Sequence, residues 1–282
     1  MKGVLLVALL LAGVGAVGNA QVNTGPRHSR DRGVGVPASV FATYIARGQL
    51  LVFPFFAYSR DNNREYNPAK LGYGLMQDFR GRFRSTDERL FLGYGLTERL
   101  AVEFETGFTR AQLDKAPNDA STLPASITQS GFADIEGQLR YRVAQETDRR
   151  PEIFSYVEVT APSQRAKRLI GDGIWDVRPG VGLVRGFGWG TMTTRVTVEY
   201  NHDDKSWDLG EFSIEYLRRL SSSLRVNLAI EGGETGAPDE WDLVSGLQWR
   251  LGDFLFLKLD NAIGLSSKAT DWAPQIGIML IK

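Results

Sequence analysis

Apolar and polar residues alternate one for one along this chain, in stretch after stretch of about ten residues. Between Ala133 and Val143, Ile135, Leu139, Tyr141 and Val143 share one parity, while Asp134, Glu136, Gln138, Arg140 and Arg142 take the other. Between Thr191 and Asn201, Met192, Val196, Val198 and Tyr200 oppose Thr193, Arg195, Thr197 and Glu199. Leu224, Val226, Leu228 and Ile230 oppose Arg225, Asn227 and Glu231, and the pattern recurs at Leu100–Phe108 and Leu255–Leu265. Side chains of a strand point to opposite faces with period two, whereas a helix repeats every 3.6 residues. The spacing therefore predicts an all-β chain of twelve strands, near 48–60, 83–95, 98–109, 131–144, 151–161, 174–186, 190–201, 207–219, 223–233, 240–251, 254–265 and 271–282. The first is the least regular, because Leu50 to Phe56 is apolar on both faces and contains Pro54.

The connections sort into two kinds. Those after strands two, four, six, eight and ten are short, around Thr97-Glu98, Gln145–Arg150, Gly186–Gly188, Leu220–Ser222 and Gly252-Asp253. In the opposite set, Asp61–Arg82 and Ala111–Ser130 are long and polar, and Pro162–Gly173 is moderately long. Short turns at one rim and longer loops at the other are the habit of transmembrane barrels. Tryptophan points the same way. Trp175, Trp207, Trp241 and Trp272 each open an even-numbered strand, 31 to 34 residues apart. Trp189 and Trp249, with Tyr94, Tyr141, Phe187 and Tyr216, fall near the opposite rim. Two aromatic bands at two heights match the interfacial girdles of a membrane barrel. Trp207 is out of phase with Phe212, Ile214 and Tyr216, so it faces outward only if a bulge near Gly210 restores the parity.

Composition closes off several alternatives. Lys2, the apolar run Val4–Val17 and the small residues Gly18-Asn19-Ala20 have the layout of a secretory signal peptide cleaved after Ala20. Residues 21–47, rich in Gly, Arg, Pro and Ser, read as a periplasmic lead-in of low order before a barrel over 48–282. Hydrophobic residues make up 43% of the chain without forming another long run, and mean hydropathy is −0.20. A barrel hides its apolar face by alternation, so bulk hydropathy does not reveal it. There is no cysteine, which excludes disulfide scaffolds, thiolate metal sites and a cysteine nucleophile. The 33 basic residues balance the 33 acidic ones, and losing Lys2 leaves one acidic residue in excess. Such a balance gives no electrostatic case for nucleic acid or an anionic membrane surface.

Alternation alone does not say which face meets water. In a soluble periplasmic β-protein the charges would face solvent. Strands of 10–12 residues, a leader, and loops and aromatics sorted by rim favour lipid outside and charge inside. The candidate lumen-lining residues are then Glu103, Glu105, Asp134, Glu136, Arg140, Arg142, Glu158, Arg195, Glu199, Arg225, Glu231, Asp242, Arg250, Lys258 and Asp260, with Glu211 and Glu215 on the same polar face, and the girdle residues are Trp175, Trp241, Trp272, Trp189 and Trp249. In lipid every backbone polar group must be satisfied within the protein, which demands a closed barrel.

The segment Phe91–Leu100 (FLGYGLTERL) resembles the "yGlT-(D/E)-R-L" hairpin of the outer-membrane family named for the meta-pathway of phenol degradation. Ser130–Ile135 with Leu139-Arg140-Tyr141, Val157–Pro162 and Gly173–Asp176 resemble further segments of that family. The resemblance spans about residues 48 to 282. It implies an outer-membrane barrel, a transporter or channel for small, sometimes aromatic, compounds, and it implies no catalytic residues. Two departures stand out. Ser163–Arg168 is a basic loop where the family has glycines, and the chain ends Ile278–Lys282 without the terminal aromatic common in barrels folded by the outer-membrane assembly machinery.

Catalytic constellations are weak. His28 lies in the lead-in and His202 in the turn His202-Asp203-Asp204-Lys205; no G-x-S-x-G elbow or paired zinc histidines occur. Glu103 and Glu105 sit about 7 Å apart on one strand face; a glycosidase pair can have that spacing, but both come from one strand in a wall studded with charge, which favours lumen lining. The Gly-Tyr-Gly runs at 72–74 and 93–95 lack the strand–loop–helix setting of a nucleotide loop. The sequence thus predicts an antiparallel up-and-down transmembrane β-barrel, exported to a Gram-negative outer membrane. Its expected partners are outer-membrane lipid, a small-molecule solute and the assembly machinery; no cofactor, metal or enzymatic activity is expected. Passive movement of small polar or aromatic solutes is the first functional reading. A non-conducting structural or interaction barrel that presents its long loops is the second, and a soluble periplasmic β-protein the third.

Overall fold

The structure, a computed structural model, describes residues 45, 47–163, 167–171, 173–201, 205–233 and 240–282; the expected signal peptide, His28, His202 and most of the lead-in lie outside the described residues. Thirteen strands run in chain order: β1 (Leu50–Tyr66), β2 (Phe79–Gly95), β3 (Leu100–Asp114), β4 (Ser126–Phe132), β5 (Ile135–Ala144), β6 (Glu152–Ala161), β7 (Asp176–Phe187), β8 (Gly190–Asn201), β9 (Ser206–Arg219), β10 (Leu224–Gly233), β11 (Glu240–Arg250), β12 (Leu255–Gly264) and β13 (Trp272–Ile281). Each pairs antiparallel with its neighbours, and β13 pairs with β1 to close the sheet. β4 and β5 both pair with the same edge of β3, β4 along Phe108–Asp114 and β5 along Leu100–Glu105. They are one crossing interrupted at Ala133-Asp134, so the barrel has twelve crossings.

That interruption follows from burial. Phe132 and Ile135 are exposed on the outer surface, while Ala133 and Asp134 between them both turn inward and are buried. Two consecutive inward residues form a bulge, and Ala133 N–H donates to the Gly107 carbonyl (2.9 Å) across it. A second bulge restores the phase of β9. Val196 pairs with Phe212 and Val198 with Leu209, so Gly210 and Glu211 together oppose Thr197. Glu211 N–H donates to the Thr197 hydroxyl (2.5 Å), and a side chain on Gly210 would press on that same oxygen. Trp207 accordingly faces outward, 61% exposed.

The wall is uneven in height. β1, β2 and β3 run for 17, 17 and 15 residues, whereas β5 to β8 and β10 to β13 run for 10 to 12. The expected loops 61–82 and 111–130 shrink to 67–78 and 115–125, because their flanks continue the ladder: Glu65 pairs with Arg80 and Leu113 with Ile127. Above the rim these loops share a small apolar core of Tyr66, Phe79, Leu113, Ala116 and Leu123.

At the short-turn end the interior is apolar, not the polar passage expected throughout. Leu51, Phe53, Phe91, Phe256 and Met279 form a buried cluster joined by Phe55 and Ile281. This resolves the two-faced apolar run of β1: Leu51, Phe53 and Phe55 fill the floor while Val52 and Phe56 face out. Ile45 is buried beside Gly93, and Arg47 bridges Gly95 in parallel, so the end of the lead-in lies against the inside of this floor. Phe53 is 1% exposed and stacks on Phe55 at 4.9 Å. Phe53→Ala should cost about 3 kcal/mol through the cavity it leaves, read as a lower temperature at which the fast-migrating folded gel band is lost.

Candidate functional site

Above the apolar floor the interior becomes a belt of charge. Alternation puts Glu103 and Glu105 of β3, Glu136, Arg140 and Arg142 of β5, Glu158 of β6, Arg195 and Glu199 of β8 and Glu231 of β10 on the inner face. Arg225, Asp242, Arg250, Lys258 and Asp260 complete the ring on β10 to β12, by ladder partners such as Glu231↔Asp242, Gln248↔Lys258 and Arg250↔Phe256. Low exposure supports the assignment: Glu103 6%, Arg140 4%, Arg195 4% and Lys258 5%.

The ionic partners lie mostly on neighbouring strands. Arg140 meets Glu103 at 3.7 Å, and Gln138 donates to the other Glu103 oxygen. Arg89 of β2 meets Glu105 at 3.0 Å and Asp87 at 3.7 Å. Arg178 of β7 is the hub, with Asp176 at 2.5 Å, Glu211 at 3.3 Å, and Glu158 and Glu199 both at 3.6 Å. Arg195 meets Glu211 at 2.5 Å, Lys258 pairs with Asp260, and Arg142 with Glu152 at 3.5 Å. Arginine suits the hub because its planar fork presents five donors and is less strongly hydrated than an ammonium. Two guanidiniums also lie over rings: Arg140 over Phe154 at 4.8 Å and Arg195 over Tyr156 at 5.3 Å. Those rings lie flat across Gly182 and Gly180 of β7, where any side chain would collide with them.

Arg178, Asp176, Arg89 and Asp87 are members of this belt that alternation did not single out as lumen candidates, whereas Glu211 lies in it as the alternation placed it. Pro179-Gly180 dilutes the pattern around Arg178. A polar–polar run in β2 hides Asp87 and Arg89 among Asp87-Glu88-Arg89. Arg250 lies at the short-turn end, donating to the Gly252 carbonyl (3.0 Å) and Asp253 (2.8 Å). The tryptophans take the outer surface: Trp175, Trp189, Trp249 and Trp272 are 45–55% exposed, and Trp241 packs outward over Gly232.

Between the belt and the long-loop rim is a polar chamber of about 360 Å³, lined among others by Ser85, Asp87, Arg89, Thr109, Glu136 and Arg178. The β6–β7 loop closes its side, with Leu169, Ile170 and Gly171 in the lining. Asp134 holds this loop. Its carboxylate accepts the Ser163 N–H (2.8 Å) and lies against Gly171. Gln129 accepts the Leu169 N–H (2.9 Å), and Lys167 donates to the Ser130 carbonyl (2.5 Å). The bulge at Ala133-Asp134 thus aims one carboxylate at a loop. Among the described residues no group of histidine, aspartate or glutamate is arranged to hold a metal ion.

The loops beyond the rim are tied by Asp119, which accepts the Tyr66 hydroxyl (2.8 Å) and the Ser121 N–H (2.7 Å). Burial works to raise its pKa, but those hydrogen bonds and the Lys115 ammonium outweigh burial and hold the carboxyl below the ordinary range.

No protein-family model matches the chain, and no curated protein matches it in sequence. Among solved structures, an outer-membrane channel from Pseudomonas putida F1 superposes with a TM-score of 0.60 at 15% identity, covering 86% of this chain and 99% of that one. The translocator domain of the autotransporter NalP from Neisseria meningitidis gives 0.49 at 10% identity, over 84% and 89%. The toluene transporter TbuX of Ralstonia pickettii gives 0.48 at 10%, over 93% and 98%. At such identities the first of these likenesses establishes the fold, a twelve-crossing membrane-type barrel.

Two outcomes follow from these ties. Asp134→Ala removes a hydrogen bond to a charged group, worth about 1.5–3 kcal/mol, so tryptic cleavage after Lys167 and Arg168 should rise roughly tenfold or more. A depressed carboxyl stabilises fully above its unfolded pKa and loses that effect as pH falls through its folded pKa. Packing of loop 115–125 should therefore be constant at neutral pH and loosen only below about pH 4, read by limited proteolysis, with Asp119→Asn removing the pH dependence.

Proposed function

We propose that this chain is an outer-membrane channel that passes small polar or aromatic solutes passively. The observation that carries the reading is the inside-out distribution of charge. A closed barrel that served only as a scaffold could fill its interior with apolar side chains at lower desolvation cost. Here the interior places acids and bases on nearly every wall, beneath a chamber lined largely by polar side chains. Barrels of about 8 strands are filled by side chains and those of 16–18 hold an aqueous channel; twelve crossings give a narrow passage between these limits. Charges of both signs suit polar or zwitterionic solutes better than a single ion class. The motif-level resemblance to the meta-pathway outer-membrane family, and the channel from Pseudomonas putida as a structural neighbour, support the same reading. A cleaved leader and insertion by the assembly machinery complete it.

Single-channel recording in planar bilayers is the test. The expected result is small, resolvable conductance steps from protein that shows heat-modifiable mobility. Floor variants that replace Phe91 and Phe256 by alanine should raise the step size about twofold or more, since the floor is the apolar constriction. Folded protein that leaves the bilayer sealed would overturn the channel reading and favour a non-conducting barrel that presents its tall loops.

A further inference from the structure

The outer face of the tall wall carries more arginines than carboxylates. On β1 the outward parity runs Phe56, Tyr58, Arg60, with Asp61 buried on the inside. On β2 it runs Leu90, Glu88, Thr86, Arg84, Arg82, with Asp87 and Ser85 buried inside. On β3 it runs Phe104, Phe108, Arg110, with Thr109 and Ala111 inside. Arg60 is the direct ladder partner of Arg84, and Arg110 that of Thr86, one step from Arg84 on the same face. Arg60, Arg82, Arg84 and Arg110 are all exposed.

Like charges placed directly opposite each other on a sheet are destabilising. Arg60 donates only to the Asn62 side chain (3.1 and 3.2 Å), and Arg82 meets Asp114 at 3.6 Å. Among the described residues Arg60, Arg84 and Arg110 have no carboxylate within ion-pair distance. Two further acids share this face: Glu65 is taken up by its ladder partner Arg80 (3.1 Å), and Glu88 lies on the rung below Thr86 and Arg110, beside Phe56 and Phe108. Three arginines thus lie on or one step from an Arg–Arg rung, an arrangement that favours an anion from outside the chain.

Height says which anion. Arg60 is also the ladder partner of Trp272, whose ring meets Tyr58 at 5.9 Å. Phe108 and Phe132 meet edge-on at 6.1 Å just below Arg110. These aromatics continue the outer girdle, the level at which lipid tails give way to headgroups. The hydrogen-bonded rows climb from β13 toward β3: followed the other way, the row of Trp272 descends through Ile263, Leu243, Ile230, Ile214, Thr194 and Leu183 toward the short-turn rim. Arg60, Arg84 and Arg110 therefore stand just above the girdle, on the long-loop side. Guanidiniums bind phosphate oxygens bidentately, and the outer leaflet of such a membrane is built of a phosphorylated glycolipid.

We propose that Arg60, Arg84 and Arg110 form a binding surface for the phosphate groups of that glycolipid, the lipid A part of lipopolysaccharide, on the outside of the barrel. This rests on the outer-membrane placement above and not on conduction. The tall wall then has a second role besides carrying loops: it fixes the barrel's depth and seals its boundary with the leaflet.

The test is native mass spectrometry of the folded full chain in neutral detergent, titrated with bisphosphorylated lipid A, with dephosphorylated lipid A, or with phosphatidylglycerol. The expected result is preferential binding of the bisphosphorylated form, weakened about tenfold or more, the equivalent of about 1.4 kcal/mol, in the Arg60→Gln, Arg84→Gln, Arg110→Gln triple variant. Arg149→Gln, in the exposed β5–β6 turn at the opposite rim, should bind as the parent does. Heat-modifiable mobility verifies folding of each variant. Should the triple variant fail to fold, Arg84→Gln alone should bind about threefold more weakly. Equal binding of the dephosphorylated form, equal binding of phosphatidylglycerol, or variants that bind as the parent does would each overturn the proposal. A chain that stays soluble and monodisperse without detergent would instead overturn the membrane reading itself.

Discussion

Everything in this barrel depends on the seam where its first and last strands meet. A strand edge in hydrocarbon leaves a row of N–H and C=O groups with no partner, at several kcal/mol for each group. Here Leu50 and Lys282 exchange both backbone hydrogen bonds (2.8 and 2.9 Å), and β1 follows β13 from Leu51↔Ile281 to Arg60↔Trp272. Closure makes alternation obligatory, because each crossing now has one face in lipid and one in an enclosed interior. The lipid face can only be apolar. The interior is free to vary along the axis, and it does, from the Phe53 floor to the Arg178 belt to the polar chamber under the loops.

The seam also makes phase errors costly, since one extra residue sends every later side chain to the wrong face. The chain carries irregularities where the phase must change. The bulge at Gly210-Glu211, pinned by Thr197, returns Trp207 and Leu209 to lipid. The break at Ala133-Asp134 bends one crossing so that β4 continues above the level where β5 leaves β3, and it turns Asp134 toward the β6–β7 loop. The shift between Asp61 and Arg64 lets Arg64 reach across the mouth to Glu240 (3.8 Å). In each case the departure from the ladder puts a particular side chain on the face where its chemistry is used.

What was legible in the sequence follows the environment. Wherever a strand has lipid on one side and charge on the other, as in β5, β8 and β10, period two gave its span, its inward residues and its register class. Legibility ended where the contrast ended. Residues 61–66, 79–82 and 126–130 are strand with water on their outer face, so Asn62, Arg80, Arg82, Thr128 and their neighbours read as loop. In β1, Leu51–Phe56 has apolar surroundings on both sides, so the alternation vanished although the strand is regular, and the floor it builds went unforeseen. Arg89 and Arg178 belong to the belt, yet Glu88 beside one and Pro179 beside the other erased the local period. The Trp207 misfit was the useful exception, because a single out-of-phase girdle residue in an otherwise regular strand implies a bulge close by.

The belt itself limits how a solute could move under the channel reading. Removing one partner from a buried ion pair leaves the other uncompensated, which is costlier than never having built the pair. Arg178 spreads that risk over four carboxylates from β6, β7, β8 and β9, so displacing any one of them leaves three. Arg195 and Arg140 are held in addition against aromatic faces that lie flat on glycines of the neighbouring strand. Such side chains are hard to swing aside as a group, yet any single carboxylate can exchange its partner at small cost. A polar solute that offers a donor or an acceptor can therefore be passed from one side chain to the next. The apolar floor offers no such exchange, so it, and not the charge belt, is the step that sets the barrier.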